Sequence, residues 1–306
     1  MKFVITGGAG FLGSALANTL ARQGHTVRVL DDLSTGDPAR LDPNVTLTRG
    51  DVTDVPKLWS LLHGVDCVYH LAARVAVSES VLYPREYNAT NVGGTVALIQ
   101  AVHDAGVRRL VFTSSGAIYG DQGAQPLREE DLPRPASPYA VSKLAAEYYL
   151  NTIGALWGIE TVNLRIFNAY GPGQVARVSH PPVIPAIVRQ ALGGGSIIVH
   201  GDGRQKRDFV YVDDVVTALI NASTAPNVNR LTINIGSGVA TSINSVIAEV
   251  GLALGRELTP LHVTAESGGV STMQADLSRA KERLNYEPKV SLKTGLQRVT
   301  DGAVRA

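Results

Sequence analysis

Cysteine, long apolar runs and charge of one sign are what this chain of 306 residues has least of, and each shortage removes a class of function. The single cysteine, Cys67, lies inside the apolar run VDCVYHLAA. It has no internal partner for a disulfide and reads as a small buried hydrophobe rather than a redox group. None of the seven histidines takes part in HxxxH or HxH spacing, and CxxC is absent, so no metal site is expected. Lys and Arg number 28 against 27 Asp and Glu, and no basic run occurs. That balance points away from nucleic acid and from anionic membrane surfaces as partners. No stretch approaches the roughly 20 apolar residues that cross a bilayer. The N-terminal MKFVITGGAG lacks the apolar core and small-residue cleavage site of a signal peptide, and the expected address is the cytoplasm.

What is present is a rhythm. Short β-branched runs at 2–6, 26–31, 45–51, 67–72, 109–115 and 161–166 alternate with helical stretches such as SALANTLARQG, VPKLWSLLHG, NVGGTVALIQAVHDAG and PYAVSKLAAEYYLNTIGALWG. Apolar strands separated by helices predict an α/β fold, a doubly wound parallel sheet with helices on both faces. Such a sheet binds its ligand at the carboxyl ends of the strands. Beyond Asn168 the rhythm breaks. AYGPGQVARVSHPPVIP reads as a surface loop, followed by helix, strand, a GDGRQKRD turn, strand FVYV, helix and strand LTINIG. The expected division is therefore residues 1–167 as the dinucleotide domain and 168–306 as a smaller mixed lobe for substrate. Some later strands are expected to rejoin the main sheet.

The first βα turn, TGGAGFLG, carries Gly7, Gly10 and Gly13 directly after a strand and at the start of a helix. Gly7 permits the tight turn, Gly10 lets the backbone approach a pyrophosphate, and Gly13 lets helix and strand pack closely. The helix N-terminus adds free N–H groups and partial positive charge. Phe11 and Leu12 belong to the same turn and to the same expected site. Asp31 ends the second strand eighteen residues after Gly13, where a carboxylate accepts from the adenosine ribose hydroxyls and repels a 2′-phosphate. Asp32, not Arg, follows it. The cofactor expected is NAD rather than NADP. Asp51 and Val52 close the third strand, where Asp51 either accepts from the adenine amino group or caps the next helix. Leu71, Ala72 and Ala73 close the fourth, and their small side chains leave room for a flat cofactor or simply pack.

Tyr139 and Lys143 stand at i and i+4 on one helix face. Holding a phenol ionised at pH 7 requires about 4 kcal/mol of selective stabilisation. A neighbouring ammonium and the positive nicotinamide ring supply charge of the right sign. Ser115, twenty-four residues earlier, ends the fifth strand, where its hydroxyl can hold the substrate oxygen on which Tyr139 works. Glycine turn, strand-end serine and YxxxK on the next long helix follow one another along the chain.

Together with TSSGAIYG, SPYAVSK, RIFNAYGP and GRQKRDFVYVDD, these motifs resemble the extended short-chain dehydrogenase/reductase family over nearly the whole chain. Among its NAD-dependent nucleotide-sugar epimerases the likeness is greatest to the UDP-glucose 4-epimerase branch. The resemblance implies a Rossmann-type domain, tightly held NAD, a UDP-hexose in the cleft and a homodimer. It assigns Asn91 to orienting the active-site backbone beside the cofactor, Ser115 to the sugar O4, Asn168 to the diphosphate and Arg207 to a phosphate. It also implies a route: Tyr139 takes the 4-hydroxyl proton as hydride leaves C4, Ser115 holds the carbonyl oxygen, and the 4-keto sugar turns over and is reduced on its other face. Two departures matter. Glu266 stands where the family has an arginine on the diphosphate, and Met273 falls near the position that governs room for a 2-acetamido group. TSSGAIYG lacks the Asp-Glu pair of the related 4,6-dehydratases. Other readings are a UDP-uronate or other nucleotide-sugar epimerase, a reductase of 4-keto-6-deoxy sugars, and a non-catalytic NAD sensor.

Overall fold

The computed structural model describes residues 1–174, 181–264 and 270–305. Seven parallel strands form the main sheet. In chain order they are β1 (Lys2–Thr6), β2 (Thr26–Asp31), β3 (Thr46–Arg49), β4 (Cys67–His70), β5 (Arg109–Ser115), β6 (Glu160–Ile166) and, much later, β10 (Leu231–Ile235). Their spatial order is β10-β6-β5-β4-β1-β2-β3. From β1 the chain winds one way to β2 and β3, and then the other way through β4 to β6. A crevice therefore opens at the carboxyl ends of β1 and β4, the place where such sheets hold ligands.

Helices α1 (Phe11–Arg22), α2 (Val55–Leu62), α3 (Val77–Leu82), α4 (Pro84–Tyr87), α5 (Gly94–Asp104) and α6 (Pro138–Trp157) lie among the first six strands. The pleat sends Phe3 and Ile5 of β1 into a core shared with Leu16 and Leu20 of α1. It sends Val4 to the other side, with Leu58 of α2, Leu98 of α5 and Leu150 of α6. Both faces are covered, which is why the central strands read as unbroken apolar runs rather than alternating ones.

Past Asn168 come β7 (Asn168–Tyr170), α7 (Val183–Leu192), β8 (Ile197–His200), β9 (Lys206–Tyr211) and α8 (Val212–Thr224). After β10 follow β11 (Ala240–Ser242), α9 (Ile243–Ala253), β12 (Pro260–Val263), β13 (Thr272–Met273), α10 (Ser278–Leu284) and α11 (Leu292–Arg305). Strand β9 pairs with β7, β11 and β13 to make a small sheet, and β8 pairs with β12. So β10 returns to the main sheet beside β6 while its sequence neighbours build the lobe. Several elements differ in extent from the sequence reading. Strand β4 stops at His70 because Leu71 makes the last rung, to the Thr6 carbonyl, and the chain then turns away. The helix read from Asn91 starts as a π-helical turn, Asn88–Gly93, before α5. The loop read over 169–185 falls partly outside the described residues, and Glu266 falls wholly outside them.

Candidate active site

The glycine turn is built by backbone crowding. Gly7 has φ +70° and donates to the Leu30 carbonyl at 2.7 Å. A Cβ there would lie 2.6 Å from the Ala72 nitrogen. Gly13 packs so tightly on the Gly7 carbonyl that no side chain fits. Gly8, which the motif reading passed over, is as constrained: a Cβ would meet both Val29 methyls at 2.5 Å. Gly10 differs from all three, since a Cβ there would meet only the Gly7 oxygen, at 3.2 Å. Gly10 is also the N-cap of α1. It offers no side-chain cap, and the first turn carries no acid. The helix thus presents bare N–H donors over open space.

Asp31 closes the far end of this cradle. It is buried, and its two oxygens accept from the Ala9 and Leu33 N–H groups, each at 2.9 Å. Burial raises its pKa, and the two backbone bonds pull it back down. Asp32 is exposed and accepts from both the nitrogen and the hydroxyl of Ser34. Asp51 is exposed and accepts from Thr53 in the same manner. The cap of α2 is Asp54, not Asp51. Val52 is buried against Gly94, and Leu71, Ala72 and Ala73 are half-buried at the end of β4.

The next two strand-and-helix units bring Ser115, Tyr139 and Lys143 together. Ser137 caps α6, accepting from Ala140 N–H at 3.1 Å, and Pro138 occupies the first turn. That start sets Tyr139 and Lys143 on the buried side facing β5. Ser115 ends β5 beside the start of α6, and its Oγ accepts from Ala117 N–H at 3.1 Å. Lys143 is 3% exposed; its Nζ donates to the Thr113 carbonyl at 2.9 Å and lies 4.7 Å from the centre of the Phe112 ring. Burial pulls the ammonium down to about 7, opposed by Glu147 one turn further on. Burial also raises the phenol of Tyr139, and the Ser115 hydroxyl works against it.

A family model described as "NAD dependent epimerase/dehydratase family" matches residues 3–236. This chain belongs to the NAD dependent epimerase/dehydratase family. A UDP-glucose 4-epimerase of Mycolicibacterium smegmatis is 35% identical over 309 residues, 98% of either chain. The Thermotoga maritima UDP-glucose 4-epimerase, solved with UDP-glucose, superposes with a TM-score of 0.96 at 33% identity, over 100% of this chain and 99% of that one. A mutant of the Bacillus cereus UDP-glucuronic acid 4-epimerase, solved with UDP-4-deoxy-4-fluoro-glucuronic acid and NAD, gives 0.90 at 30% identity, over 100% and 99%.

NAD is the cofactor of this epimerase/dehydratase family, and the residues here fit it. The open space over Gly10, the bare N-terminus of α1 and the buried carboxylate of Asp31 form a cradle of the right chemistry for a pyrophosphate and a ribose. Asn91 is 2% exposed and fully engaged. Its Oδ1 accepts from Arg74 N–H at 2.8 Å, and its Nδ2 donates to the Arg74 carbonyl at 3.0 Å and to Ser142 Oγ at 2.9 Å. It clamps the chain leaving β4 onto the helix that carries Tyr139.

The other residues assigned to substrate come from the lobe. Asn168 opens β7, Arg207 lies in β9, and Met273 pairs with Arg207 across β9 and β13. Arg207 is half-buried, donates to the Lys206 carbonyl at 2.8 Å and feels the charge of Asp121. Asp208, which no motif flagged, proves to be the lobe's main fastener. Its carboxylate is fully buried and accepts from Ser237 N and Oγ, Gly238 N and Ala275 N. The signal lay in the sequence as an acid placed between a basic turn and an apolar strand.

Proposed function

We propose that this enzyme interconverts the C4 epimers of a UDP-hexose, as its UDP-glucose 4-epimerase relatives are named to do, with NAD retained through the cycle. The observation that carries the reading is the convergence at the end of β5 of Ser115 with the buried Tyr139 of α6 and, one helical turn on, the buried Lys143, whose Nζ donates to the carbonyl of Thr113 two residues before Ser115. Tyr139 takes the proton of the sugar 4-hydroxyl and later returns one. Ser115, with its Oγ fixed by the Ala117 N–H, directs its hydroxyl proton at the same sugar oxygen. Lys143, fixed on the Thr113 carbonyl, holds the nicotinamide ribose and keeps positive charge near the phenol. NAD, when bound, supplies the hydride acceptor and the ring charge that favours a phenolate. Gly7, Gly10, Phe11, Leu12, Gly13, Asp31, Asp32, Asp51, Val52 and Leu71–Ala73 surround it. Residues 168–306 mainly hold the nucleotide sugar, with Asn168 and Arg207 on the diphosphate.

Two copies pair through α6. Val141, Tyr148, Tyr149 and Leu156 are exposed on one helix, a run of large apolar side chains that a monomer would leave in water. Sedimentation of the wild type and of Leu156→Glu tests the pairing.

The function is tested with UDP-, TDP- and GDP-sugars, uronates and 2-acetamido sugars included, incubated without added cofactor before the C4 epimers are separated. Epimerisation of UDP-hexoses under those conditions is expected. Turnover that depends on stoichiometric reduced cofactor identifies a reductase instead.

A further inference from the structure

His70 is the one fully buried histidine among the described residues, and nothing above uses it. It ends β4, with Thr6 of β1 on one side and Thr95 of α5 on the other. Thr6 Oγ1 lies 2.7 Å from Nδ1, and Thr95 Oγ1 lies 2.9 Å from Nε2. The proton positions follow from counting. Thr95 has one hydroxyl proton and gives it to the Asn91 carbonyl at 2.6 Å. It must therefore accept from His70, which places a proton on Nε2. Thr6 Oγ1 already accepts from Ala72 N–H at 3.3 Å, so its own proton goes to an unprotonated Nδ1. Burial and, secondarily, the charge of Lys143 pull the imidazole down to about 3, in keeping with a ring that stays neutral. The line continues through Asn91 Nδ2 to Ser142 Oγ at 2.9 Å, and from Ser142 to the Tyr139 carbonyl at 2.8 Å. One end is the residue before Gly7. The other is the backbone of Tyr139.

We propose that His70 is a positioning residue, whose neutral Nε2–H imidazole ties the glycine turn that carries the cofactor to the helical turn that carries Tyr139 and Lys143. The proposal rests on the epimerase reading only in taking Tyr139 as the acid/base. Thr6, Thr95, Asn91 and Ser142 are all at least 95% buried, so water cannot substitute for a missing link. Each has its donor and acceptor roles fixed by the next, and only one tautomer of the ring satisfies the whole line. Two segments far apart in sequence are thereby held in a single register, and sub-ångström errors between hydride acceptor and phenol are expensive in rate.

Three substitutions separate the two halves of the ring. His70→Gln keeps a donor near the Nε2 position toward Thr95. His70→Asn keeps an acceptor near the Nδ1 position toward Thr6. His70→Phe keeps the shape and neither bond. Rates are taken per mole of folded, NAD-loaded enzyme. Positioning predicts that His70→Phe and His70→Asn lose about 10- to 100-fold in kcat at unchanged KM, while His70→Gln recovers most of the loss because the link to α5 and α6 survives. A His70→Phe enzyme with kcat within about twofold of wild type overturns the proposal, as does an equal loss in all three variants. Should the variants fail to fold, ¹⁵N spectra of the wild-type imidazole decide. Nε2–H between pH 6 and 9, with and without NAD, is expected; Nδ1–H or an imidazolium contradicts it. Tyr139→Phe run in parallel keeps the two readings apart, since full activity there would sink the epimerase mechanism whatever His70 does.

Discussion

The carboxyl edge of the main sheet and the small lobe beside it are built to different tolerances. At the sheet edge Ser115 of β5, Tyr139 and Lys143 of α6 and Asn91 of the π-helical turn are at most half-exposed, and Ser115, Lys143 and Asn91 are tied to Ala117, Thr113 and Arg74 of the neighbouring backbone. In the lobe Arg207 rests on one carbonyl, and the strands around it run only two to six residues. The lobe's precision is concentrated in Asp208, and Leu127 of the larger domain ties to it with an N–H and a C=O that pair with Gln274 and Asp276. On the proposed function, chemistry belongs to the rigid edge and selection to the lobe. Substitutions at the first should therefore act on kcat, and those at the second on KM.

The largest effect that would break this division is at Tyr139. Tyr139→Phe should lower kcat by about 10²- to 10⁴-fold with NAD still bound and KM little changed; steady-state kinetics with a cofactor absorbance measurement checks both. Lys143→Met sharpens it by setting stability against activity. The folded pKa of Lys143 is near 7 against an ordinary 10.5. Between those values the unfolded chain holds a proton that the folded one releases, so wild-type stability rises with pH from about 7 to 10.5 and is lowest below 7. Removing the amine should stabilise the protein at pH 7 by on the order of 2–4 kcal/mol, flatten that pH dependence in denaturant titrations, and abolish most turnover. The smallest effect is in the lobe. Arg207→Met should raise KM for the nucleotide sugar about tenfold, the worth of one charge-assisted phosphate contact, and leave kcat within a factor of two or so. A loss in kcat alone would move Arg207 to the chemical edge.

The same contrast governs what was legible in the sequence. The sheet edge is written in local motifs. A glycine turn after KFVIT, a serine ending RLVFTSS and a tyrosine and lysine one turn apart on α6 each sit where strand and helix periodicity put them, and the fold brings them together. The lobe is written in long-range pairings. Nothing near Leu231 says that β10 will cross back to lie beside β6, and nothing near Asp208 says that Ala275 will donate to it. Histidine 70 was read only as lacking metal spacing; its role depends on Thr6 and Thr95, which are distant in sequence and meet it only through strand order. The pull of Lys143 on Tyr139 was inferred from the i, i+4 face. Both residues do lie on the buried side of α6, and the ammonium's partner there, the Thr113 carbonyl, is one that no pattern locates.

The most direct measurement follows a label. A UDP-hexose carrying deuterium at C4 is incubated with the purified enzyme and no added cofactor, and the C4 epimer is examined by NMR. The account predicts that deuterium stays at C4 of the product, because the hydride removed beside Tyr139 is the one returned. Exchange of that deuterium for solvent hydrogen would mean that a proton, not a hydride, leaves the carbon, and would contradict the assignment of this site.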